Sequence, residues 1–150
     1  LNTYKSIFGR AEKFLLEEKP VLVQLIKNPT GASEVLRTIN KDSTARLLII
    51  INDNYADGRD VSWLWDTDFE MLSDYPSEIV VSGIRADDMA VRLKYAGIDA
   101  KKIITVYDIK SAINYALRTF PADTSGQIVI MPTYTALLEM QQILHGKKSF

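Results

Sequence analysis

The sequence predicts an α/β fold in which helices cover both faces of a mostly parallel sheet, giving three layers. Short apolar runs rich in β-branched residues, such as Leu47–Ile51, alternate along the chain with segments whose apolar residues recur at helical spacing. Turn and helix-capping residues separate these segments. Strands that alternate with helices in this way form parallel sheets with right-handed crossovers.

Composition fits one domain that spans residues 1–150 and is large enough to bury a core. Apolar residues make up 47% of the chain and charged residues 25%, as in ordinary globular proteins. The net charge of −1 leaves no basic field for nucleic acid or for an acidic membrane surface. The absence of cysteine excludes a disulfide framework and a thiolate within this chain. No apolar run approaches the roughly 20 residues of a membrane span.

The N-terminal residues predict a hairpin at one edge of the sheet. Residues 5–16 are predicted to be a connector that enters a short strand, and Glu17–Pro20 a turn. Val21–Ile26 is the next predicted strand. The two strands are close enough in sequence to pair as an antiparallel hairpin.

The remaining elements follow from the same patterns. A helix follows Asn28-Pro29, because proline disfavours helical backbone at the residue before it, and Thr30 or Ser33 can cap that helix. Its apolar face is predicted to hold Ala32, Val35, Leu36 and Ile39. The other predicted strands are Leu47–Ile51, Glu78–Ser82, Lys102–Val106 and Gln127–Met131. The other predicted helices are 61–72, with a break expected near Asp66-Thr67-Asp68, 86–96, one capped by Asp108 and one after Thr135.

The carboxyl ends of parallel strands lie at one edge of the sheet, which we call the rim, and ligands of open α/β sheets bind there. The loops expected at the rim are 27–31, 52–60, 83–87, 107–108 and 132–135. We call residues 52–60 the acidic loop, because three carboxylates, one arginine and one glycine lie within the eight residues from Asp53 to Asp60. A buried strand that opens into such a loop predicts a functional site.

Asp60 has two interpretations. Its carboxylate either caps the helix predicted over 61–72 or points off the rim toward another group. Trp63 and Trp65 follow at once, two residues apart, and therefore cannot share a helix face. One is expected in the core, and the other is a candidate contact for a partner protein.

The other polar residues of the rim also have alternatives. Asp57-Gly58 is typical of a turn in which the glycine supplies positive φ, and Arg59 pairs either with Asp57 or with a phosphate. Lys27-Asn28 precedes a helix start and is a weak anion-binding pattern.

Several familiar enzyme motifs are missing from this chain. It has neither a G-x-x-x-x-G-K-[ST] phosphate loop nor a G-x-G-x-x-G segment, which argues against a self-contained NTPase or dinucleotide enzyme. The single histidine, His145, lies near the end of the last helix, where a cation suits the helix dipole. A catalytic triad carried wholly by this chain is therefore not predicted, and neither is a metal site.

Three segments together resemble the Mur ligases. Phe8-Gly9-Arg10 followed by Glu12 is similar to the segment that enters their C-terminal domain, and Asn28-Pro29 is similar to their Asn-Pro motif. Asp57–Asp60 stands where these ligases have a Gly- and Asp-rich loop. The resemblance implies a Rossmann-like Mur ligase C-terminal domain.

The chain more specifically resembles the MurT family, the Mur-ligase-like subunits of the lipid II isoglutaminyl synthase of Gram-positive bacteria. The segments that carry this resemblance are Lys27–Gly31 (KNPTG), Asn52–Trp65 (NDNYADGRDVSWLW), Ser82–Ala86 (SGIRA) and Pro132–Thr135 (PTYT). Leu25-Ile26-Lys27 replaces the aspartate-tyrosine-histidine run that precedes Asn-Pro in amino-acid-adding Mur ligases. That departure favours a ligase that amidates its substrate over a ligase that adds an amino acid.

The resemblance implies an ATP-dependent ligase that acts on lipid II at the cytoplasmic face of the membrane. ATP and Mg²⁺ would activate the α-carboxylate of D-glutamate as an acyl phosphate, and ammonia from a GatD-type glutaminase partner would make D-isoglutamine. ATP would be bound mainly by a central domain absent from this chain, with residues 1–16 as the connector. The start at Leu1, without an initiator methionine, suits a piece of a longer protein.

The resemblance also implies roles for individual residues. The glutaminase would supply its own Cys and His and borrow an acid from the ligase subunit, at Asp60 or, failing that, Asp57 or Asp53. A carboxylate on one imidazole nitrogen fixes the tautomer, and its loss can cost about 10⁴ in rate. The residues implied to face the ATP γ-phosphate or the substrate are Lys27, Asn28, Asp57 and Arg59.

Two other functions stay open. The chain is either a non-catalytic docking domain that only holds the glutaminase, or the C-terminal domain of a ligase that adds an amino acid. Replacing Asp60 by Asn separates docking from catalysis, and dependence on glutamine separates amidation from amino-acid addition.

Overall fold

The computed structural model describes residues 11–122 and 125–148 and confirms the three-layer α/β fold. Six strands of the described part form a sheet in the order β1-β2-β6-β3-β4-β5, in which every neighbouring pair is parallel except β1 with β2. The strands are β1 Glu12–Leu16, β2 Lys19–Val23, β3 Thr44–Ile50, β4 Ile79–Ser82, β5 Ile103–Thr105 and β6 Gln127–Pro132. The helices are α1 Pro29–Thr38, α2 Ala86–Tyr95, α3 Ile109–Arg118 and α4 Tyr134–Lys148.

The predicted N-terminal hairpin is present at the edge of the sheet. β1 pairs with β2 in antiparallel register along its whole length. Glu17 and Glu18 connect the strands with positive φ values of 50° and 68°. Two-residue turns of this kind match the twist of the flanking strands. Residues 1–10 of the predicted connector, including Phe8-Gly9-Arg10, lie outside the described residues.

Strand β3 is buried on both faces, which accounts for its unbroken apolar run. Leu47, Ile49 and Ile51 pack in one layer with α1 and α2, whereas Leu48 and Ile50 pack in the other layer with α3 and α4. Successive side chains of a strand point to opposite faces, so each layer receives every second residue. Burial of each such side chain contributes roughly 1.5–3 kcal/mol. The acidic loop therefore leaves the sheet from a firmly packed strand.

Helix α1 begins earlier than its apolar pattern predicts. Asn28 is the N-cap, and its side-chain oxygen accepts a hydrogen bond from the Gly31 amide at 2.8 Å. Pro29 occupies the first helical position, where its missing amide costs nothing. The predicted cap at Thr30 or Ser33 is therefore wrong.

The segment predicted to be helical over 61–72 is helical and is broken at Thr67-Asp68, as predicted, but it is not an α-helix. The segment forms two 3₁₀ helices, Ser62–Asp66 and Phe69–Leu72. In an α-helix the carbonyl of Leu64 would accept from the amide four residues later. Here that carbonyl accepts from the Thr67 amide, three residues later, at 3.4 Å and from the buried guanidinium of Arg92 at 2.8 Å.

Candidate functional site

Asn52 joins the loops that follow β3, β4 and β6 at the rim. Its backbone amide donates to the Thr133 hydroxyl at 2.9 Å, and its side-chain nitrogen donates to the Thr135 hydroxyl at 3.1 Å. Its side-chain oxygen accepts from the Ile84 amide at 3.0 Å. Only 4% of Asn52 is exposed. Asn52 was not predicted as a site residue from the sequence. The signal that could have found it is a polar side chain placed directly after five apolar residues.

Gly83 allows the loop after β4 to approach the acidic loop closely. Its φ is +94°, and a Cβ at this position would lie 2.6 Å from the Ile51 carbonyl oxygen and 2.8 Å from the side-chain oxygen of Asn52. Glycine is the residue that tolerates both conditions.

Asp57 lies at the N-terminus of α4, where its carboxylate accepts hydrogen bonds from the backbone amide of Thr135 at 2.7 Å and from the Thr135 hydroxyl. A third bond comes from the Asn54 amide at 3.0 Å. The carboxylate thus pairs a free amide of the first helical turn and lies at the positive end of the helix dipole. Its predicted role toward ATP or substrate stays a prediction, but its observed contacts hold the acidic loop.

Asp60 is exposed, and its carboxylate contacts Ser62. Its carboxylate accepts a hydrogen bond from the Ser62 amide at 2.8 Å. Hydrogen bonds from the amide and hydroxyl of Ser62 lower the pKa of Asp60 below its ordinary value, so the group is ionised at neutral pH. Asp60 therefore bonds the first residue of a 3₁₀ helix and also remains accessible at the rim. The N-cap of that 3₁₀ helix is Val61, so the predicted role of Asp60 as a helix cap is wrong, and its role toward another group stays a prediction.

Asp53 belongs to an ion-paired cluster at the start of α2. Its carboxylate lies 2.9 Å from the Arg85 guanidinium, which also lies 2.6 Å from Asp88. Hydrogen bonds to Asp88 and Asp53 raise the pKa of Arg85 above its ordinary value. The charge of Asp53 is thus balanced by a neighbouring cation.

Arg59 forms no ion pair with Asp57 in the described structure, and its predicted pairing with a phosphate stays a prediction. Its guanidinium lies over the ring of Tyr55, 5.2 Å from the ring centroid. Tyr55 is 87% exposed, so this cation–π pair lies on the outer surface of the acidic loop.

Lys27 and Asn28 are exposed at the neighbouring end of β2. The Ile26 amide donates to the Pro132 carbonyl at 3.0 Å, which places these two residues beside the end of β6 at the rim. The described contacts do not join either side chain to the acidic loop. Their predicted role toward ATP stays a prediction.

The two tryptophans lie in different environments. Trp63 is partly buried against the core, whereas Trp65 is 48% exposed. The ring of Trp65 meets Tyr95 edge-on, with 5.3 Å between centroids. The expectation that they do not share one face is confirmed.

A cleft of about 360 Å³ opens beside the acidic loop. It is lined by Asn52, Gly83, Ile84, Tyr107, Asp108, Ile109 and Glu139. The two carboxylates in this lining make the cleft unsuited to a phosphate. In residues 11–122 and 125–148, no group of three His, Cys, Asp or Glu side chains is arranged to hold a metal ion. The helices in those ranges include none with the length and apolar character to cross a bilayer.

The chain has a fold that also occurs in Mur-type ligases and folylpolyglutamate synthases. A folylpolyglutamate synthase from Thermotoga maritima matches 95% of this chain and 32% of its own, with a TM-score of 0.59 and 17% sequence identity. UDP-N-acetylmuramoyl-L-alanyl-D-glutamate–2,6-diaminopimelate ligase matches 95% of this chain and 32% of its own, with a TM-score of 0.56 and 14% identity. At these identities the likeness is one of fold.

Comparisons of sequence show the family to which the chain belongs. The model of the MurT ligase C-terminal domain matches residues 25–137, and the chain belongs to that family. Two curated relatives are named lipid II isoglutaminyl synthase (glutamine-hydrolyzing) subunit MurT. The Streptococcus pneumoniae protein is 36% identical over 146 residues, or 96% of this chain and 32% of the relative. The Staphylococcus aureus protein is 38% identical over 145 residues, which are 95% of this chain and 32% of the relative. The chain thus spans about a third of the length of these relatives.

Proposed function

We propose that this chain is the C-terminal domain of the ATP-dependent ligase subunit of a lipid II isoglutaminyl synthase. The whole enzyme would activate the D-glutamate α-carboxylate of lipid II with ATP and Mg²⁺, bound mainly by a central domain, and amidate it to D-isoglutamine. Family membership supports this proposal, as do the names of the curated relatives, which specify a glutamine-hydrolyzing synthase.

The nitrogen would come from a GatD-type glutaminase subunit with a Cys-His pair. We assign to Asp60 the carboxylate that would complete this Cys-His pair. The observation that carries this assignment is an exposed, ionised carboxylate on a rim loop, oriented by the Ser62 amide at 2.8 Å. The other two acids of the loop are engaged within the domain, Asp53 by Arg85 and Asp57 by the start of α4. Asp60 is therefore the acid of this loop best placed to meet a partner.

A carboxylate in this position has a defined chemical task. The cysteine thiol gives its proton to one nitrogen of the imidazole, and the resulting thiolate attacks the side-chain carboxamide of glutamine. The acid accepts a hydrogen bond from the other imidazole nitrogen, fixes the tautomer and stabilises the imidazolium. The lowered pKa of Asp60 suits that task, because the group accepts the bond as an anion and keeps no proton at neutral pH.

The ligase half of the reaction would use one neutral and two positively charged side chains of the same rim. We assign Lys27, Asn28 and Arg59 to the side that faces the ATP γ-phosphate or the substrate across the cleft between domains. All three side chains are exposed, so a closing domain can reach them. Positive charge placed there would stabilise the phosphoryl group during transfer.

The test compares nitrogen sources for lipid II amidation by the full-length subunit with its glutaminase. Asp60→Asn is expected to remove amidation supported by glutamine and to leave amidation supported by ammonium chloride, because only the supply of ammonia depends on the glutaminase. Asp66→Asn, which changes another exposed carboxylate of the same region, is the matched control and is expected to retain both activities. Loss of both activities in Asp60→Asn would contradict the assignment, and so would retention of both.

Docking without catalysis is the second candidate function, and the exposure of Tyr55 favours it. Tyrosine is enriched at binding hot spots, and this ring is 87% exposed beside Arg59 on the acidic loop. If the loop only holds the partner, Tyr55→Ala and Asp60→Asn would both weaken the complex. If Asp60 serves the glutaminase site, Tyr55→Ala would weaken the complex and Asp60→Asn would slow hydrolysis within an intact complex.

A further inference from the structure

We propose that Asp57 and Thr135 are positioning residues for Asp60, which lock the acidic loop onto the N-terminus of α4. This inference rests on the proposed role of Asp60 in the glutaminase site. It assigns Asp57 a task other than direct contact with ATP, substrate or the glutaminase histidine.

The lock uses the full hydrogen-bonding capacity of one hydroxyl. The Thr135 hydroxyl donates to the Asp57 carboxylate and accepts from the side-chain nitrogens of Asn52 at 3.1 Å and Asn54 at 3.0 Å. A threonine hydroxyl offers one donor and two acceptor lone pairs, so all three are engaged. Three residues of the loop therefore converge on one side chain of α4.

Asp57 completes the attachment from the loop side. Its carboxylate also accepts from the Thr135 amide at 2.7 Å and from the Asn54 amide at 3.0 Å. These bonds have a charged acceptor, and such bonds are shorter and about twice as strong as neutral ones. The loop thus does not depend on a partner protein to reach this arrangement.

The segment that carries Asp60 is short and fixed at both ends. Asp57 fixes its beginning, and the buried side chains of Val61 and Leu64 fix its end. Gly58, with φ +90°, makes the turn between them. The hydrogen bond that Asp60 makes is to Ser62, two residues away, so the carboxylate moves wherever this segment moves.

A loose segment would change the position of the acid rather than its chemistry. Misplacement of a catalytic group by about 1 Å can cost roughly 10²-fold in rate. Loss of the lock is therefore expected to lower kcat for glutamine hydrolysis and to leave KM for glutamine unchanged, since glutamine binds in the partner subunit.

The experiment compares Thr135→Val with Thr135→Ser in the full-length subunit bound to its glutaminase. Valine keeps the shape of threonine without the hydroxyl, and serine keeps the hydroxyl. Thr135→Val is expected to lower kcat by roughly 10- to 100-fold with unchanged KM and complex formation, and Thr135→Ser to retain activity near wild type. Asp57→Asn is the second variant if Thr135→Val does not fold. Its side-chain nitrogen cannot accept the threonine proton, so the same loss of kcat is expected.

A double-mutant cycle separates positioning from simple stability. In the Asp60→Asn background, Thr135→Val is expected to cause no further loss of kcat, because the group that it positions is already gone. An equal loss in both backgrounds, or an unchanged kcat for Thr135→Val alone, would overturn the positioning role. Unchanged hydrolysis by Asp60→Asn itself would overturn the proposed function, whereas an inactive Asp60→Asn beside a fully active Thr135→Val would overturn this inference alone.

Discussion

Replacing Asp60 with Asn is expected to lower kcat for glutamine hydrolysis by the complex by up to about 10⁴-fold, the scale of loss when the acid beside a catalytic imidazole is removed. Asparagine is close in size and keeps an oxygen that can accept from the Ser62 amide, so the local turn is preserved. It lacks the negative charge that stabilises an imidazolium. Size exclusion should show an intact complex, and steady-state kinetics should show little change in KM.

Two further variants sharpen this prediction. Ser62→Ala removes a hydroxyl that helps to lower the pKa of Asp60 but keeps the amide, so a much smaller loss of kcat is expected. Asp53→Asn, measured in the same assay, tests Asp53, one of the two alternative acids of the loop. A large loss in Asp53→Asn with normal hydrolysis in Asp60→Asn would move the proposed role from Asp60 to Asp53.

Replacing Arg92 with Met is expected to destabilise the domain by roughly 3 kcal/mol, because two charge-assisted hydrogen bonds to buried backbone are lost. The guanidinium is 3% exposed and donates to the carbonyls of Leu64 and Thr67 at 2.8 and 2.7 Å. It also donates to the Glu70 carboxylate at 2.9 Å. Urea unfolding of the 150-residue chain, followed by tryptophan fluorescence, measures the loss.

The control for Arg92 is an exposed arginine on another helix. Arg37 pairs with Glu34 across one turn of α1, with both side chains at least half exposed, and Arg37→Met is expected to cost less than about 1 kcal/mol. Glu70→Gln should cost similarly little, because that carboxylate is 59% exposed. If Arg92→Met cost no more than Arg37→Met, the buried guanidinium would not be what holds the 3₁₀ segment.

The layers and the sheet were predictable because local patterns and tertiary packing agree. A strand buried on both faces must be apolar throughout, as Leu47–Ile51 is, and its neighbours in a parallel sheet must be joined by helices. The hairpin was predictable because its turn is short. The 3₁₀ form of segment 61–72 was not, since its apolar spacing suits an α-helix. Arg92 binds the carbonyls of Leu64 and Thr67, which lie 28 and 25 residues earlier in the sequence. No local pattern reports such a contact.

The position of the acidic loop at the rim was predictable, but the contacts of its three aspartates were not. The alternation of elements assigns the acidic loop to the rim, and the choice of Asp60 within that loop is what the family resemblance implies. Three aspartates in one loop look alike in sequence, whereas their partners differ: Arg85 for Asp53, the start of α4 for Asp57 and Ser62 for Asp60. The partners of Asp53 and Asp57 are 32 and 78 residues away in sequence, so only the fold reveals them.

The most direct test of the proposed function is a structure of the full-length subunit bound to its glutaminase. The decisive distance joins a carboxylate oxygen of Asp60 to the nearest nitrogen of the glutaminase histidine that serves the catalytic cysteine. We expect about 2.6–3.2 Å, within hydrogen-bonding reach. A histidine paired with an acid of its own subunit, with Asp60 facing solvent, would contradict the proposal.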